Sequence, residues 1–225
     1  MARSPHWFWS MLSYVMDIPM EERSSSFNPS LQLFLSKGAF KLVSHHAIYS
    51  YGLKYYHFVE AFKKIHIQDS NIQNVLVLGL GTASIPEMLE KKFACNPRFD
   101  LVEIDAEVIF LFEKYQDYIV RGECKCYCQD GLDFLKTNKK SYDLICMDIF
   151  EDDQVPPPYE TDEFLSLIHA RLLPGGWFLY NRLNVSSGDQ RKNKSFYQRF
   201  CNILPGSTIL ATDYNWILAY RKGIQ

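Results

Sequence analysis

Three carboxylates and a pair of glycines carry most of the chemistry open to this sequence. Glu103 follows the run Phe99 to Val102, Asp130 precedes Gly131, and Asp148 ends YDLICMD, which begins at Tyr142. Each stands where a short apolar stretch stops. Gly79 and Gly81 lie in the turn GLGTAS, directly after the apolar run Asn74 to Leu78. Small residues in such a turn let the main chain approach a ligand with no Cβ in the way. An acidic strand end about 20 residues further on is able to accept both hydroxyls of a ribose. Together they point to nucleoside or nucleotide binding, set against a ligand-free tight turn with solvated strand ends. The third position of the dinucleotide fingerprint is Ser84, not Gly, which disfavours NAD and leaves a nucleoside without a pyrophosphate. Asp148 opens the loop DIFEDDQVPPP, where it either serves a ligand or caps its own loop. Glu151, Asp152 and Asp153 form a solvated turn or an amine-attracting rim. Tyr159 closes a pocket or stands exposed on the loop.

The elements that must position these residues alternate. Asn74 to Leu78 reads as a strand buried on both faces. Ser84 is the expected N-cap of the next helix, with Pro86 in its first turn. Phe99 to Val102 is the second strand, and Val108, Ile109 and Phe112 mark a helix ending near Tyr118. Glu123 to Gln129 is the third strand, with a short helix after Asp130-Gly131 through Leu135. Tyr142 to Asp148 is the fourth, Thr161 caps the helix of Phe164 and Ile168, and Trp177 to Tyr180 is the fifth strand after Leu173-Pro174-Gly175-Gly176. A helix from about Gln190 to Ile203 leads to strands Ser207 to Thr212 and Trp216 to Tyr220. Their link is too short for a crossover helix, so they pair antiparallel. The pattern is α/β, a mainly parallel sheet with an antiparallel C-terminal hairpin. Such a sheet binds ligands at its C-terminal strand edges, where Gly79, Glu103, Asp130 and Asp148 all fall.

Ahead of this lies a smaller unit. Residues 1 to 16 predict a short aromatic helix, with Phe8, Leu12 and Val15 at helical spacing. Residues 21 to 29 read as polar and turn-rich. Leu31, Leu33 and Leu35 alternate as a half-buried strand, Ser36-Lys37-Gly38 turns, and Ala39 to Val43 returns as its partner. Tyr55, Phe58, Val59 and Phe62 give a helix ending near Ile67. The expected division is residues 1–52, a helix and β-hairpin appendage, and 53–225, the ligand-binding domain.

Composition narrows the class. The chain has 225 residues, 47% hydrophobic, 22% charged and 15% aromatic, which is globular. A net charge of −2 argues against broad phosphate-backbone binding, so no nucleic acid is expected as a partner. No apolar run reaches the roughly 18 residues of a membrane span, and the N-terminus lacks a signal-type cleavage site. Six cysteines without an export signal fit a reducing cytoplasm. Cys124, Cys126 and Cys128 alternate, which suits one face of a core strand better than the C-x-x-C turns of zinc sites; no metal is expected.

In order and spacing, VLVLGLG, VEID, QDG, YDLICMDIFEDDQVP and LLPGG resemble the class I S-adenosylmethionine-dependent methyltransferase superfamily, and within it the spermidine synthase-like branch. GAFKLVS and AIYSYG resemble that branch's β appendage and gate segment. The resemblance runs over about residues 17 to 221. It implies a Rossmann-like seven-stranded sheet with S-adenosylmethionine, or its decarboxylated form, as cofactor. It implies that Gly79 and Gly81 pass beneath the methionine portion. Glu103, with Ile104 beside it, takes the ribose, and Asp130 takes the adenine amino group while Gly131 leaves room for the ring. Asp148 begins the loop over the sulfonium and helps deprotonate an incoming amine. Tyr49, Glu151 and Tyr159 are then the substrate-side residues. A homodimer through the N-terminal hairpin follows from the same resemblance.

The departures from that branch bear on the reaction. Thr82 stands where spermidine synthases carry Asp, Lys41 where they carry Gln, and Tyr49-Ser50 where the gate carries Tyr-His. Both charge changes are positive, and a lysine is able to pair with the carboxylate of a full methionine tail. Lys41 and Thr82 are therefore expected at the cofactor, with methyl transfer to a small molecule as the leading activity. Aminopropyl transfer to a polyamine is the alternative, and a non-catalytic nucleoside-binding oligomer is the third reading. An NAD oxidoreductase is disfavoured by Ser84 and the final hairpin.

Overall fold

Alternating burial builds the first of two sheets. The structure, a computed structural model, describes residues 7–44, 48–54, 56–212 and 214–224, and of Ile48, Tyr49 and Lys54 only the main chain. Helix α1 (Trp7–Leu12) leads into an antiparallel sheet ordered β1 (Ile18–Arg23), β2 (Leu31–Ser36), β3 (Ala39–Ser44) and β4 (Ile48–Ser50). Leu31, Leu33 and Leu35 are buried while Gln32 and Phe34 are half-exposed, the period of a strand with one face on a core. Lys37 and Gly38, with φ of 50° and 77°, turn the β2–β3 hairpin, in the left-handed conformation that a two-residue hairpin turn needs.

The sheet exceeds the expected hairpin by two strands. Ile18–Arg23 pairs with β2 although residues 21 to 23 looked like turn. Its charged residues are tied down from outside: Glu21 pairs with Lys114, and Arg23 Nε lies 2.7 Å from Glu107 Oε2. The first helix is shorter than expected within the described residues. Phe8 is 54% and Val15 83% exposed, so the stripe they share with Leu12 does not pack as one face.

After α2 (Tyr56–Lys64) comes the larger sheet, whose strands alternate with helices: β5 (Asn74–Leu78), α3 (Ser84–Lys91), β6 (Arg98–Glu103), α4 (Ala106–Ile119), β7 (Cys124–Cys128), α5 (Gly131–Thr137), β8 (Tyr142–Met147), α6 (Asp162–Arg171), β9 (Leu172–Leu183), α7 (Ser187–Ile203), β10 (Thr208–Ala211) and β11 (Asn215–Arg221). Its seven strands lie in the order β10-β11-β9-β8-β5-β6-β7. Pairing is parallel from β7 through β9, and antiparallel on both sides of β11. The α/β class, the mainly parallel sheet and the final hairpin are thus as the sequence implies.

Side chains along β5 divide between two cores. Val75 and Val77 face Phe58, Phe62, Met88 and Phe112, whereas Leu76 and Leu78 face Phe134, Phe164, Phe178 and Phe200. Burial on both faces explains the unbroken apolar runs.

Three local expectations need correction. Ser84 does not cap α3: Ala83 does, at φ 58°, and Ser84 is the first helical residue, its hydroxyl 2.6 Å from that of Ser50. Residues 173 to 176 belong to β9, because Gly175 N donates to Lys222 O and Lys222 N to Gly176 O. The cysteine row lies on β7, the edge strand, with Cys124 and Cys126 half-buried and Cys128 exposed. Burial pushes the Cys124 and Cys126 thiols up to about 12, so both stay protonated and unreactive. Residues 1–6, Tyr55 and Asp213, which belong to the expected first helix, the helix marked by Tyr55 and Phe58, and the link between the last two strands, lie outside the described residues.

The chain fills one side of β5 with β6 and β7 and then crosses to the other side with β8. The crevice between the C-terminal ends of β5 and β8 is therefore the topological switch point, where such sheets bind ligands. Gly79 closes it from one side at φ 90°, and a Cβ there would lie 2.5 Å from the carbonyl oxygen of Asp148. Gly79→Ala is expected to cost roughly 3 kcal/mol of stability, from the positive φ and the main-chain clash together. Urea unfolding checks this; an unchanged midpoint would mean that the two strand ends part without cost.

Candidate functional site

A cavity of about 620 Å³ opens at this crevice, within the usual range for small-molecule sites. Gly79, Leu80 and Gly81 line it from the glycine turn, and Glu103, Ile104 and Asp105 from the end of β6. Gln129, Asp130 and Gly131 follow β7, and Asp148 to Asp153 follow β8. Leucine and valine strands thus deliver their next polar residues to one lip, because parallel strands in register end together.

Main-chain amides hold the carboxylates. Glu103 accepts from Leu80 N at 3.1 Å, Ile104 N at 2.9 Å and Asp105 N at 3.1 Å. Burial nonetheless raises its pKa above the ordinary carboxylate value, the amide bonds opposing that rise. Asp130 caps α5, its Oδ1 accepting from Leu132 N and Asp133 N, while Oδ2 accepts from the Tyr159 hydroxyl at 2.6 Å. That hydroxyl also accepts from Gly131 N at 3.1 Å. Tyr159 is buried, not an exposed loop residue, and burial raises its pKa. Asp105 caps α4 and accepts from Ser25 and Asn28, which brings Phe27 and Asn28 of the β1–β2 loop to the cavity wall.

Asp148 sits deeper. Its Oδ1 accepts from Asn181 Nδ2 at 2.8 Å, and the same nitrogen lies 3.2 Å from His57 Nε2. Asn215 Nδ2 donates to Asn181 Oδ1 at 2.9 Å. Burial pulls the His57 pKa from 6.5 down to about 4. The loop after Asp148 is anchored by Arg182, which meets Glu160 at 2.5 Å and Asn193 at 2.7 Å, and by Lys192, which donates to Gln154.

Most of the expected residues meet here: Gly79, Gly81, Glu103, Ile104, Asp130, Gly131, Asp148, Glu151 and Tyr159. Two do not. Lys41 turns away to pair with Asp17 at 3.1 Å and is absent from the cavity lining. Thr82 lies beneath the turn, its hydroxyl donating to Ser50 at 2.8 Å, and does not reach the cavity. The side chain of Tyr49 is outside those described. His57, Asn181, Asn215 and Phe27 line the cavity without having been singled out. For His57 a signal existed: Tyr56-His57 is a tyrosine–histidine pair seven residues after Tyr49-Ser50, and it starts α2. Asn181 and Asn215 carry no motif.

The charge balance of the lining is one-sided. Among the described lining residues Glu103, Asp105, Asp130, Asp148, Glu151, Asp152 and Asp153 are acidic, and none is Lys or Arg. Low-dielectric walls focus such a field on whatever enters. Among the described residues no group of three or more His, Cys, Asp or Glu is placed to hold a metal ion. Among the described residues no helix is long and apolar enough to cross a membrane.

The strand order, the glycine turn and the acidic strand ends define the S-adenosylmethionine-dependent methyltransferase-like fold. Residues 55–188 match the family described as the spermine/spermidine synthase domain, and the chain belongs to that family. A crystal structure of a probable spermidine synthase from Corynebacterium glutamicum superposes with a TM-score of 0.73 at 19% identity, over 92% of this chain and 80% of the other. A probable polyamine aminopropyl transferase of Bifidobacterium longum is 26% identical over 145 residues, 64% of this chain and 31% of its own length. An eEF1A lysine and N-terminal methyltransferase of Danio rerio is 25% identical over 142 residues, 59% of this chain and 20% of its length. The chain spans a third or less of these two curated relatives.

His57 gives the site a measurable signature. Between pH 6.5 and about 4 the unfolded chain binds a proton at this position that the folded one refuses. Stability is therefore full above that window and falls as pH drops through it, by up to about 3 kcal/mol. Urea titrations at pH 7.5 and 4.5 are expected to show a smaller acid loss for His57→Gln than for the wild type. Equal losses would mean that this imidazole is not held neutral by the fold.

Proposed function

We propose that this protein is a polyamine aminopropyltransferase, which moves the aminopropyl group of decarboxylated S-adenosylmethionine onto an amine. The observation that carries this reading is the cavity's charge. A lining with seven carboxylates and no Lys or Arg among its described residues favours ligands with positive charge throughout. The decarboxylated donor has a sulfonium and an ammonium, and the acceptor is an amine. The carboxylate of the full methionine tail would meet no Lys or Arg among the described lining residues. Methyl transfer was the leading expectation because of Lys41 and Thr82; with Lys41 paired to Asp17 and Thr82 beneath the turn, that preference loses its basis. The family and the Bifidobacterium relative lend the same support.

In this reading Glu103 and Ile104 hold the ribose, Asp130 and Gly131 the adenine, and the Gly79–Gly81 turn lies beneath the sulfonium. Tyr159 braces the adenine end through Asp130. Asp148 and Glu151 hold the incoming amine. An alkylammonium with pKa near 10 is no nucleophile until it loses a proton, and in this reading Asp148 accepts it. The amine lone pair attacks the aminopropyl carbon next to sulfur as the C–S bond breaks. The bonding pair stays on sulfur and leaves the neutral thioether methylthioadenosine. Rate comes from alignment and exclusion of water.

Methyl transfer remains the second reading. It is favoured by the neutral hydroxyls of Ser50 and Ser84, which line the cavity beside the glycine turn, and by the Danio relative.

Calorimetry with the two donors separates the readings. The decarboxylated donor is expected to bind at least about tenfold more tightly, a difference near 1.4 kcal/mol, and incubation with a diamine or triamine is expected to release methylthioadenosine. Tighter binding of S-adenosylmethionine together with a methylated product would overturn the proposal. Asp148→Asn is expected to lower kcat by roughly 10²- to 10⁴-fold, as loss of a proton acceptor does, while methylthioadenosine affinity holds. Unchanged turnover would remove Asp148 from the mechanism.

A further inference from the structure

The side-chain amide of Asn181 stands between two cavity groups able to move a proton, Asp148 and His57. Its Nδ2 donates to Asp148 Oδ1 and lies within hydrogen-bond distance of His57 Nε2. An amide nitrogen offers two hydrogens and no lone pair. Both partners must then be acceptors, Asp148 as a carboxylate and His57 with a bare Nε2, the neutral tautomer protonated at Nδ1. Burial of the ring acts in the same direction, since it disfavours the imidazolium.

Rotating the Asn181 amide by 180° would reverse all of this. Its carbonyl would face the Asp148 carboxylate, and His57 would have to present Nε2–H. What opposes the rotation is Asn215, whose Nδ2 donates to Asn181 Oδ1 at 2.9 Å. Both asparagines are buried. Asn215 begins β11, where its main-chain N–H donates to the Thr212 hydroxyl and its main-chain carbonyl accepts from Thr212 N. Asn215 faces Leu183 and Ile217 faces Asn181 across the β9–β11 ladder, so the two asparagines are diagonal neighbours on one face.

We propose that Asn215 is a positioning residue of this site: by donating to Asn181 it fixes which way that amide faces. It thereby keeps Asp148 as the proton acceptor and His57 as a neutral ring whose Nε2 is already engaged. Its part in turnover rests on the aminopropyl transfer proposed above; its control of the amide does not. Neither asparagine touches the adenosine end, so the effect falls on the proton and not on donor affinity.

Nitrogen-15 NMR of histidine-labelled protein, without donor or amine and at neutral pH, reads which ring nitrogen carries the proton. The His57 signal is assigned by its loss in His57→Gln. The wild type is expected to show Nδ1–H. Asn215→Asp keeps the shape but only accepts, so Asn181 should turn over and His57 should switch to Nε2–H. Asn215→Ala, which simply releases the amide, should give a mixture and covers the case in which the aspartate variant fails to fold. In turnover, Asn215→Asp is expected to lower kcat at least about tenfold with methylthioadenosine affinity unchanged within about twofold. An Nε2–H wild type, the same tautomer in wild type and variants, or a tautomer switch with kcat unchanged would each overturn the proposal. Should the tautomers follow expectation while no aminopropyl transfer is found in the wild type, the proposal for Asn215 stands and the reading of the reaction falls.

Discussion

The close approach of β5 and β8 at their C-terminal ends governs the rest of the molecule. Gly79 and the carbonyl of Asp148 leave no space between them for a single side-chain carbon. That contact sets the depth of the crevice, because the glycine turn and the acidic loop both start from it. Strands on either side end at the same level, since parallel pairing keeps β6, β5 and β8 in step from Phe99–Val75–Leu144 to Val102–Leu78–Met147. A polar residue placed one step past an apolar run therefore arrives at the same lip as its neighbours, whatever its distance in the chain.

Gathering so many carboxylates in a half-enclosed space is costly unless dipoles compensate. Here the compensation comes mainly from groups that bring no positive charge of their own. Glu103 is met by three main-chain amides, and Asp130 by two more at the start of α5 and by Tyr159. Asp105 takes Ser25 and Asn28 from the β1–β2 loop, and Asp148 takes Asn181. The cations that could have neutralised the cavity are used elsewhere: Lys41 on Asp17, Arg182 on Glu160, Arg23 on Glu107. The field inside stays negative, which suits cationic ligands. The bond between Asp105 and the Ser25–Asn28 turn also fastens the small sheet to the large one and makes Phe27 part of the cavity wall.

The glycine turn, the three strand-end carboxylates and the alternation of strand and helix were legible because they are local. A buried parallel strand needs an apolar run, a tight turn needs small residues, and a ligand-facing strand end needs a polar one; each leaves its mark within a few residues. Lys41 and Thr82, expected at the cofactor, lie off the cavity lining for the opposite reason. Position in a strand or turn says which way a residue could point, and only the finished packing decides whether Asp17 or a ligand receives the ammonium. Strand Ile18–Arg23 was missed because its charged residues are held by α4, some 90 positions away in the chain.

What the amino-acid order determined by itself is the α/β architecture and the lip on which chemistry would happen, since both follow from short-range periodicity and turn composition. What tertiary structure alone decided is the character of that lip. His57, Asn181 and Asn215 come from three distant elements and meet through hydrogen bonds, which carry no periodic trace in a sequence. The sign of the charge in the cavity was likewise settled by which carboxylates face inward and which lysines find partners outside, a matter of three-dimensional packing.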